Sequence, residues 1–355
     1  MDYFRSDSRT AYEALSEAQR IAFAPMVFQA CRILRDSGIL EKVHASAASG
    51  MTLDEVAAAV ALPRYGVKVL LESGLGSGLF RFNADRYAVT KLGYFMLRDP
   101  MTRANLDFVH EVCYRGMHDL DEAIRKGTPA GLKTLGGWKT FYEGLSSLPP
   151  QARDSWLAFD HYYSDAAFPA ALPHVLGRRP GRLLDVGGNT GKWAVQCAQF
   201  DPEVRVTIAD LPQQLDLAKQ AVRGSGVESR IDFLAMDVLD ESGAFPEGYD
   251  AIWMSQFLDC FSEREIVSIL RRAARALPPH GTLHILELFW DRQPNEIAAF
   301  CLQQTSLYFA CIANGNSQMY HSADMMRCIA ESGLEVTGQR DQVGLYHTLL
   351  DCRRT

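Results

Sequence analysis

The chain lacks several things that would have fixed its class at once. Its eight cysteines, at 31, 113, 197, 260, 301, 311, 328 and 352, include no Cys-x-x-Cys pair. Neither a metal site nor a disulfide framework is therefore indicated, and they read as reduced, mostly core thiols. There is no basic excess: 36 Lys and Arg against 43 Asp and Glu give a net charge of −7. That balance argues against a dedicated nucleic-acid binder. No apolar run approaches the roughly 18 residues a membrane span needs. The opening residues, MDYFRSDSRTAYEAL, lack signal-peptide anatomy, so a cytoplasmic chain with no membrane partner is expected. Repeats and low-complexity tracts are also missing.

What is present is an ordinary globular composition, 47% hydrophobic and 22% charged, over 355 residues, enough for two domains. Residues 1–100 read as helix-rich. Ile21, Phe23, Val27, Ala30 and Ile33 make an unusually sticky apolar helical run. Thr52-Leu-Asp-Glu55 is a capping box opening a short helix. Pro63 starts the next helix, expected to run to about Ser73 and to be broken by Gly74, Gly76 and Gly78. Leu79 to Val89 then suggests a hairpin. Helix, helix, hairpin is a winged-helix pattern. Its segment 52–99 holds six basic and five acidic residues, too few positive charges to neutralise phosphates, so a dimerisation role is favoured over DNA binding. Residues 101–176 read as helical and aromatic-rich. After the turn cluster at 177–181, residues 177–355 alternate short β runs with helices, the pattern of a parallel α/β sheet.

In that region Gly187, Gly188 and Gly191 lie between a strand (182–186) and a helix (from Lys192). Ligands of open α/β sheets bind beyond the carboxyl ends of the strands, and three such ends here are acidic: Asp185, Asp210 and Asp237. A pyrophosphate is disfavoured, because Asp185 would repel it and Val186 occupies the first glycine position of a G-x-G-x-x-G fingerprint. A P-loop is excluded by Trp193 after Lys192. The ligand should lack phosphate and offer a ribose diol, which Asp210 can grip through both hydroxyls. Asp237 can accept from the amine of a base. S-adenosylmethionine meets these conditions.

The segments LLDVGGNTGKWA, ADLPQQLDLAK and TLDEVAAAV…LLESGLGSGLFRFNADRYAVTKLGYFML resemble class I S-adenosylmethionine-dependent small-molecule O-methyltransferases of plant phenolic and bacterial polyketide pathways. The resemblance covers nearly the whole chain. It implies a Rossmann-like α/β domain with a seven-stranded, mostly parallel sheet, preceded by a mainly α winged-helix dimerisation domain. It implies a homodimer through the N-terminal domain and a pocket between the domains, roofed by 101–176 and 296–320. It assigns ribose and adenine to Asp210 and Asp237 and the methionine part to the loop at Gly187. Leu211, Val238 and Ser255 are expected beside them as cofactor contacts.

One departure matters. Family members that deprotonate a phenol carry Leu-His-Asp-Trp after the fourth strand, and that His is the base. Here the segment is Phe257-Leu258-Asp259-Cys260, with Leu258 at the His position. Glu287 matches the family's partner acid, and its second acid is replaced near Tyr320. His321, Asp259 and His161 are the candidates to take over as base, and Glu287 is expected to be catalytic as the partner acid. His161, Tyr162 and Tyr308 are expected against the substrate, within an aromatic lining drawn from Tyr114, Trp138, Tyr163, Phe300 and Phe309. The expected activity is O-methylation of a small aromatic or polyketide-like metabolite. C-methylation, cofactor binding without transfer, and a winged-helix metabolite sensor are the alternatives.

Overall fold

The computed structural model describes residues 4–355, so the first three residues of the expected N-terminal domain lie outside the described residues. The chain divides into two compact units, Met1–Val109 and His110–Thr355, and residues 110–176 group with the sheet-bearing unit. Among the described residues, no helix is long and apolar enough to cross a membrane.

In the first unit the capping box forms as read: Thr52 accepts from the Glu55 amide, and Glu55 accepts from the Thr52 amide at 2.8 Å. Such a cap contributes about 1 kcal/mol. The next helix, Arg64–Gly76, runs past the expected stop. Gly74 sits inside it rather than ending it, because a Cβ there would come within 2.7 Å of the Phe80 ring. The glycine serves close packing of the helix on the hairpin formed by β1 (Phe80–Asn83) and β2 (Arg86–Val89). Leu34, Ile39, Leu40, Val43, Val56, Val67 and Leu71 fill the core between these elements. The long helix Ala11–Asp36 leaves Tyr12, Leu15, Ile21, Phe23 and Met26 exposed.

The second unit is built on seven strands: β3 (Arg182–Val186), β4 (Arg205–Asp210), β5 (Ile231–Ala235), β6 (Ala251–Ser255), β7 (Thr282–Glu287), β8 (Leu334–Val343) and β9 (His347–Arg354). Their order is β5-β4-β3-β6-β7-β9-β8, parallel except that β9 runs antiparallel to β7 and β8. The central strands are apolar because helices cover both faces; every residue of β7 is buried. The Ser262–Glu265 capping box opens helix Glu263–Ala276, which buries Ile266, Ile269, Leu270 and Ala273. β8 escapes notice in the sequence because it is an edge strand whose middle is exposed and polar. The chain steps outward from β3 to β4 and β5, then returns to place β6 on the other side of β3. The tips of β3 and β6 therefore flank the topological switch point, where such sheets bind ligands.

Candidate active site

Beyond those tips lies a cavity of about 330 Å³. Its floor is the loop after β3. Gly187 has φ +72°, and a Cβ there would sit 2.2 Å from the Phe257 ring, so only glycine fits. A Cβ on Gly188 would fall 2.7 Å from the Asp185 carboxylate. Asn189 follows, also left-handed, at φ 49°. Its amide donates to Asp210 Oδ2 at 3.0 Å and its side-chain Nδ2 donates to Asp160 Oδ2 at 3.1 Å. The Leu211 amide donates to Asp210 Oδ1 at 2.7 Å. Each Asp210 oxygen keeps a lone pair for a further donor. Burial nonetheless pushes Asp210 up to about 6, against the pull of those two amides. Asp185 is 2% exposed and is pushed up to about 8 by burial and, secondarily, by Asp210.

Five lining residues carry a buried polar atom with no hydrogen-bond partner: Asp185 Oδ2, Asn189 Oδ1, Trp193 Nε1, Gln214 Oε1 and Ser255 Oγ. Leaving such an atom unmet costs about 1–3 kcal/mol, so this much unmet capacity in one cavity marks a ligand site. Three of the five can only accept (when Asp185 is ionised) and Trp193 can only donate. Asp237 is exposed, lines the cavity, and accepts the Leu239 amide at 2.9 Å. Leu211 and Val238 line it too, as does Gly188; Gly191 does not, but caps helix Lys192–Phe200 at φ +75°. Trp193 stacks on Trp253 with ring centroids 4.0 Å apart, a rigid wall between loop and sheet.

The other half of the cavity is aromatic: Tyr142, Trp156, Phe159, Phe257, Tyr308 and Phe309. The Trp156 indole donates to the Tyr308 hydroxyl at 3.0 Å, which fixes both rings. Asp259 faces this half and is 4% exposed. The Tyr142 hydroxyl is hydrogen-bonded to the Cys260 thiol, and Cys260 Sγ donates to Asp259 Oδ1 at 3.4 Å. Burial pushes Asp259 up to about 6.

Leu258, at the family's base position, is fully buried in the core and does not line the cavity. Glu287 lies behind the wall. Its Oε1 accepts the amides of Phe257 and Leu258 at 3.0 and 2.8 Å, and its Oε2 is buried without a partner. Burial first, then the charge of Asp259, drives Glu287 well above the usual carboxylate range. Its geometry is that of a brace for the 257–259 turn, and it does not line the cavity, which corrects its expected place as a catalytic residue. His321 is likewise displaced from its expected place. Its Nδ1 accepts the Ala323 amide at 3.0 Å and caps helix Ser322–Glu331, its ring packs edge-on against Trp290, and it lies outside the cavity. Tyr320, near the expected position of the second acid, donates to the Phe261 carbonyl at 2.6 Å. His161 lines the cavity with its Nδ1 3.3 Å from Asp165; Tyr308 lines it as well. Tyr162 packs on Tyr163 instead, and neither they nor Tyr114, Trp138 and the exposed Phe300 reach the cavity. Asp160, Asn189, Trp193 and Gln214 escaped the sequence reading. Asn189 lies inside the glycine loop, and Asp160 precedes His161, but nothing in the sequence shows which of these side chains turns inward.

Residues 177–333 match the O-methyltransferase domain, and residues 16–87 match the Dimerisation2-like domain. The chain carries an O-methyltransferase domain preceded by a Dimerisation2-like domain. It is an S-adenosylmethionine-dependent methyltransferase. The L-tyrosine C(3)-methyltransferase of Streptomyces lavendulae is 24% identical over 288 residues, 80% of this chain and 77% of that protein. The 3-hydroxy-5-methyl-1-naphthoate 3-O-methyltransferase of Streptomyces sahachiroi is 34% identical over 110 residues, 31% of each. Among solved structures, the S-adenosylmethionine-dependent methyltransferase SibL in its apo form superposes with a TM-score of 0.72 at 25% identity, over 96% of this chain and 99% of that one. The methyltransferase's five unpartnered atoms suit its cofactor: acceptors for ribose, amine and ammonium donors, and a donor for a carboxylate. No phosphate-binding group is needed.

Proposed function

We propose that the enzyme methylates the hydroxyl of a small aromatic, polyketide-like acceptor, with Asp259 as the proton acceptor. The observation that carries this reading is Asp259 itself, a buried carboxylate facing the aromatic half of the cavity where the family's imidazole is absent. A phenol ionises near 10, so moving its proton to a carboxylate raised to about 6 is uphill by about 5 kcal/mol. An imidazole at about 6.5 would face nearly the same gap. Burial has given Asp259 a proton affinity close to that of the missing imidazole.

When bound, S-adenosylmethionine would supply a methyl group on a cationic sulfur, which would leave as a neutral thioether as a nucleophile takes the methyl in line. Asp185, Asp210, Asp237, Ser255 and the loop Gly187–Gly191 hold it in this reading. The aromatic walls keep the acceptor ring flat and exclude water, so positioning supplies a large share of the acceleration. Asp259 receives the hydroxyl proton as the oxygen becomes nucleophilic. Glu287 keeps the 257–259 turn in place through the two backbone amides.

A second reading is favoured by the Streptomyces lavendulae relative, whose name assigns its methyl to carbon C(3) of L-tyrosine. An ionised phenol is nucleophilic at oxygen and at the ortho carbon, so the same base serves both. Turnover of a phenolic panel with carbon-13-methyl cofactor, read by NMR, separates methoxy from ring-methyl products. Tight cofactor binding with no S-adenosylhomocysteine formed from any acceptor would refute transfer altogether. A homodimer belongs to the reading, supported by the Dimerisation2-like match and the exposed apolar residues of helix Ala11–Asp36. Light scattering that gives a monomer mass would remove it.

A further inference from the structure

We infer that the acceptor is a phenol carrying a protonated alkylamine, and that Asp160 is the residue that selects it. The inference deepens the functional reading above and rests on it.

The cavity walls are rich in acids and almost without free cations. Beyond the three strand-tip acids assigned to the cofactor, Glu143, Asp160, Asp259 and Glu265 line it. No arginine does, and the single lysine, Lys192, is bound to Asp165 at 2.6 Å. His161 faces the same Asp165. Three of the four remaining acids are accounted for. Asp259 serves as the base, Glu265 completes the capping box at Ser262, and Glu143 is exposed, where water screens its charge. Asp160 is different. One of its oxygens accepts from Asn189, and among the described residues it has no ion pair. A neutral amide donor does not offset a full charge.

The place of Asp160 says what would offset it. It stands on helix Pro150–Ser164 between the glycine loop, through Asn189, and the aromatic half, where Trp156 and Phe159 of the same helix also line the cavity. A carboxylate beside aromatic faces is the environment that binds an ammonium group, by charge and by cation–π attraction together. With seven acids against Lys192 and His161, an anionic acceptor would meet net repulsion from these walls. Burial first, then the charges of Asp259 and Asp165, favour the proton on Asp160; His161 and the Asn189 amide pull the other way without prevailing, so a bound cation would favour its ionised form further.

The test is calorimetry on the full chain saturated with S-adenosylhomocysteine, using three phenols of similar size. Tyramine is cationic, 4-ethylphenol neutral and 3-(4-hydroxyphenyl)propionate anionic. Tyramine should bind about tenfold or more tighter than 4-ethylphenol, the low end for a charge-assisted hydrogen bond, with the propionate weakest. Asp160→Asn should bring the first two within about threefold of each other, and Asp160→Glu should keep the preference. In both variants, the affinity for S-adenosylhomocysteine should hold. Equal or tighter binding of the neutral or anionic probe to the native enzyme overturns the inference. So does the failure of all three to bind an enzyme that holds S-adenosylhomocysteine. An Asp160→Asn variant that loses S-adenosylhomocysteine but keeps the tyramine preference overturns it too, and would place the carboxylate on the cofactor's ammonium. Failure of the native chain to bind S-adenosylhomocysteine would instead bring down the functional reading, and this inference with it.

Discussion

Replacing Asp259 by Asn should make the enzyme slower and more stable at once. The variant removes the carboxylate that receives the proton but keeps its size. Loss of a general base costs about 10²–10⁴ in turnover, while the affinity for S-adenosylhomocysteine should stay within about threefold, because Asp259 is not among the groups assigned to the cofactor. Stability moves the other way. The folded protein holds the Asp259 proton more tightly than the unfolded chain does, since burial raises the group from 3.8 to about 6. The cost of ionising it is thus absent below about pH 4, grows between 4 and 6, and is fully present at neutral pH. It amounts to about 3 kcal/mol. Asn cannot ionise and also removes the charge facing Glu287, so the Tm at pH 7 should rise by several degrees, and the gain should shrink as the pH falls toward 4. In the native enzyme kcat/KM should fall below about pH 6 as Asp259 takes up a proton, and in the variant that limb should vanish. The assays are a pH–rate profile and thermal melts across the same range. A variant within tenfold of native turnover, with the acid limb near pH 6 intact, would show that Asp259 is not the base.

Gly187→Ala should lower stability by about 2–4 kcal/mol and weaken S-adenosylhomocysteine at least tenfold by calorimetry, because it combines a left-handed backbone with a Cβ 2.2 Å from the Phe257 ring. His321→Ala should cost about 1 kcal/mol in chemical denaturation, the worth of a lost helix cap, and leave kcat within about twofold; a large drop in kcat would return His321 to the active site. Asp351 accepts from His284 and His174, each at 2.7 Å, and these contacts, prevailing over burial, hold it down at about 2. Its contribution is complete above about pH 4 and is lost as the pH falls through 2. Asp351→Asn should therefore lower stability by about 2–3 kcal/mol at pH 7, with the difference closing in acid; parallel melting curves at every pH would refute the pairing.

The sequence made the sheet readable because its central strands are apolar on both faces and end on Asp185, Asp210 and Asp237, signals that depend only on neighbours in the chain. The capping boxes at Thr52 and Ser262 were readable for the same reason. Gly74 was misread as a helix stop because its purpose is room for Phe80, and that contact belongs to the folded unit. β8 was missed because an edge strand need not be apolar. In the site, the glycine loop could be placed from spacing, but Asp160 could not: it is one acid in a helix whose inward face is set by packing. The same limit explains His321 and Glu287. Both stand close in sequence to the positions the family resemblance suggested, yet one turns out to cap a helix and the other to hold two backbone amides.

The absence of a histidine at position 258 looked like the loss of a base, but the residue there never reaches the cavity. Leu258 packs into the core beneath the turn, and that packing helps present Asp259 on the cavity side. Proton affinity is set by surroundings as much as by residue type. An exposed aspartate would be too weak a base, and an aspartate buried beside a cation would be weaker still. Burial raises Asp259 against the pull of a thiol and a backbone amide that donate to it. Its charge in turn helps keep the proton on the neighbouring Glu287. The walls also carry few cations, which leaves Asp160 without an ion-pair partner. Burial thus provides the base, and an unmatched carboxylate provides the preference for a positively charged acceptor.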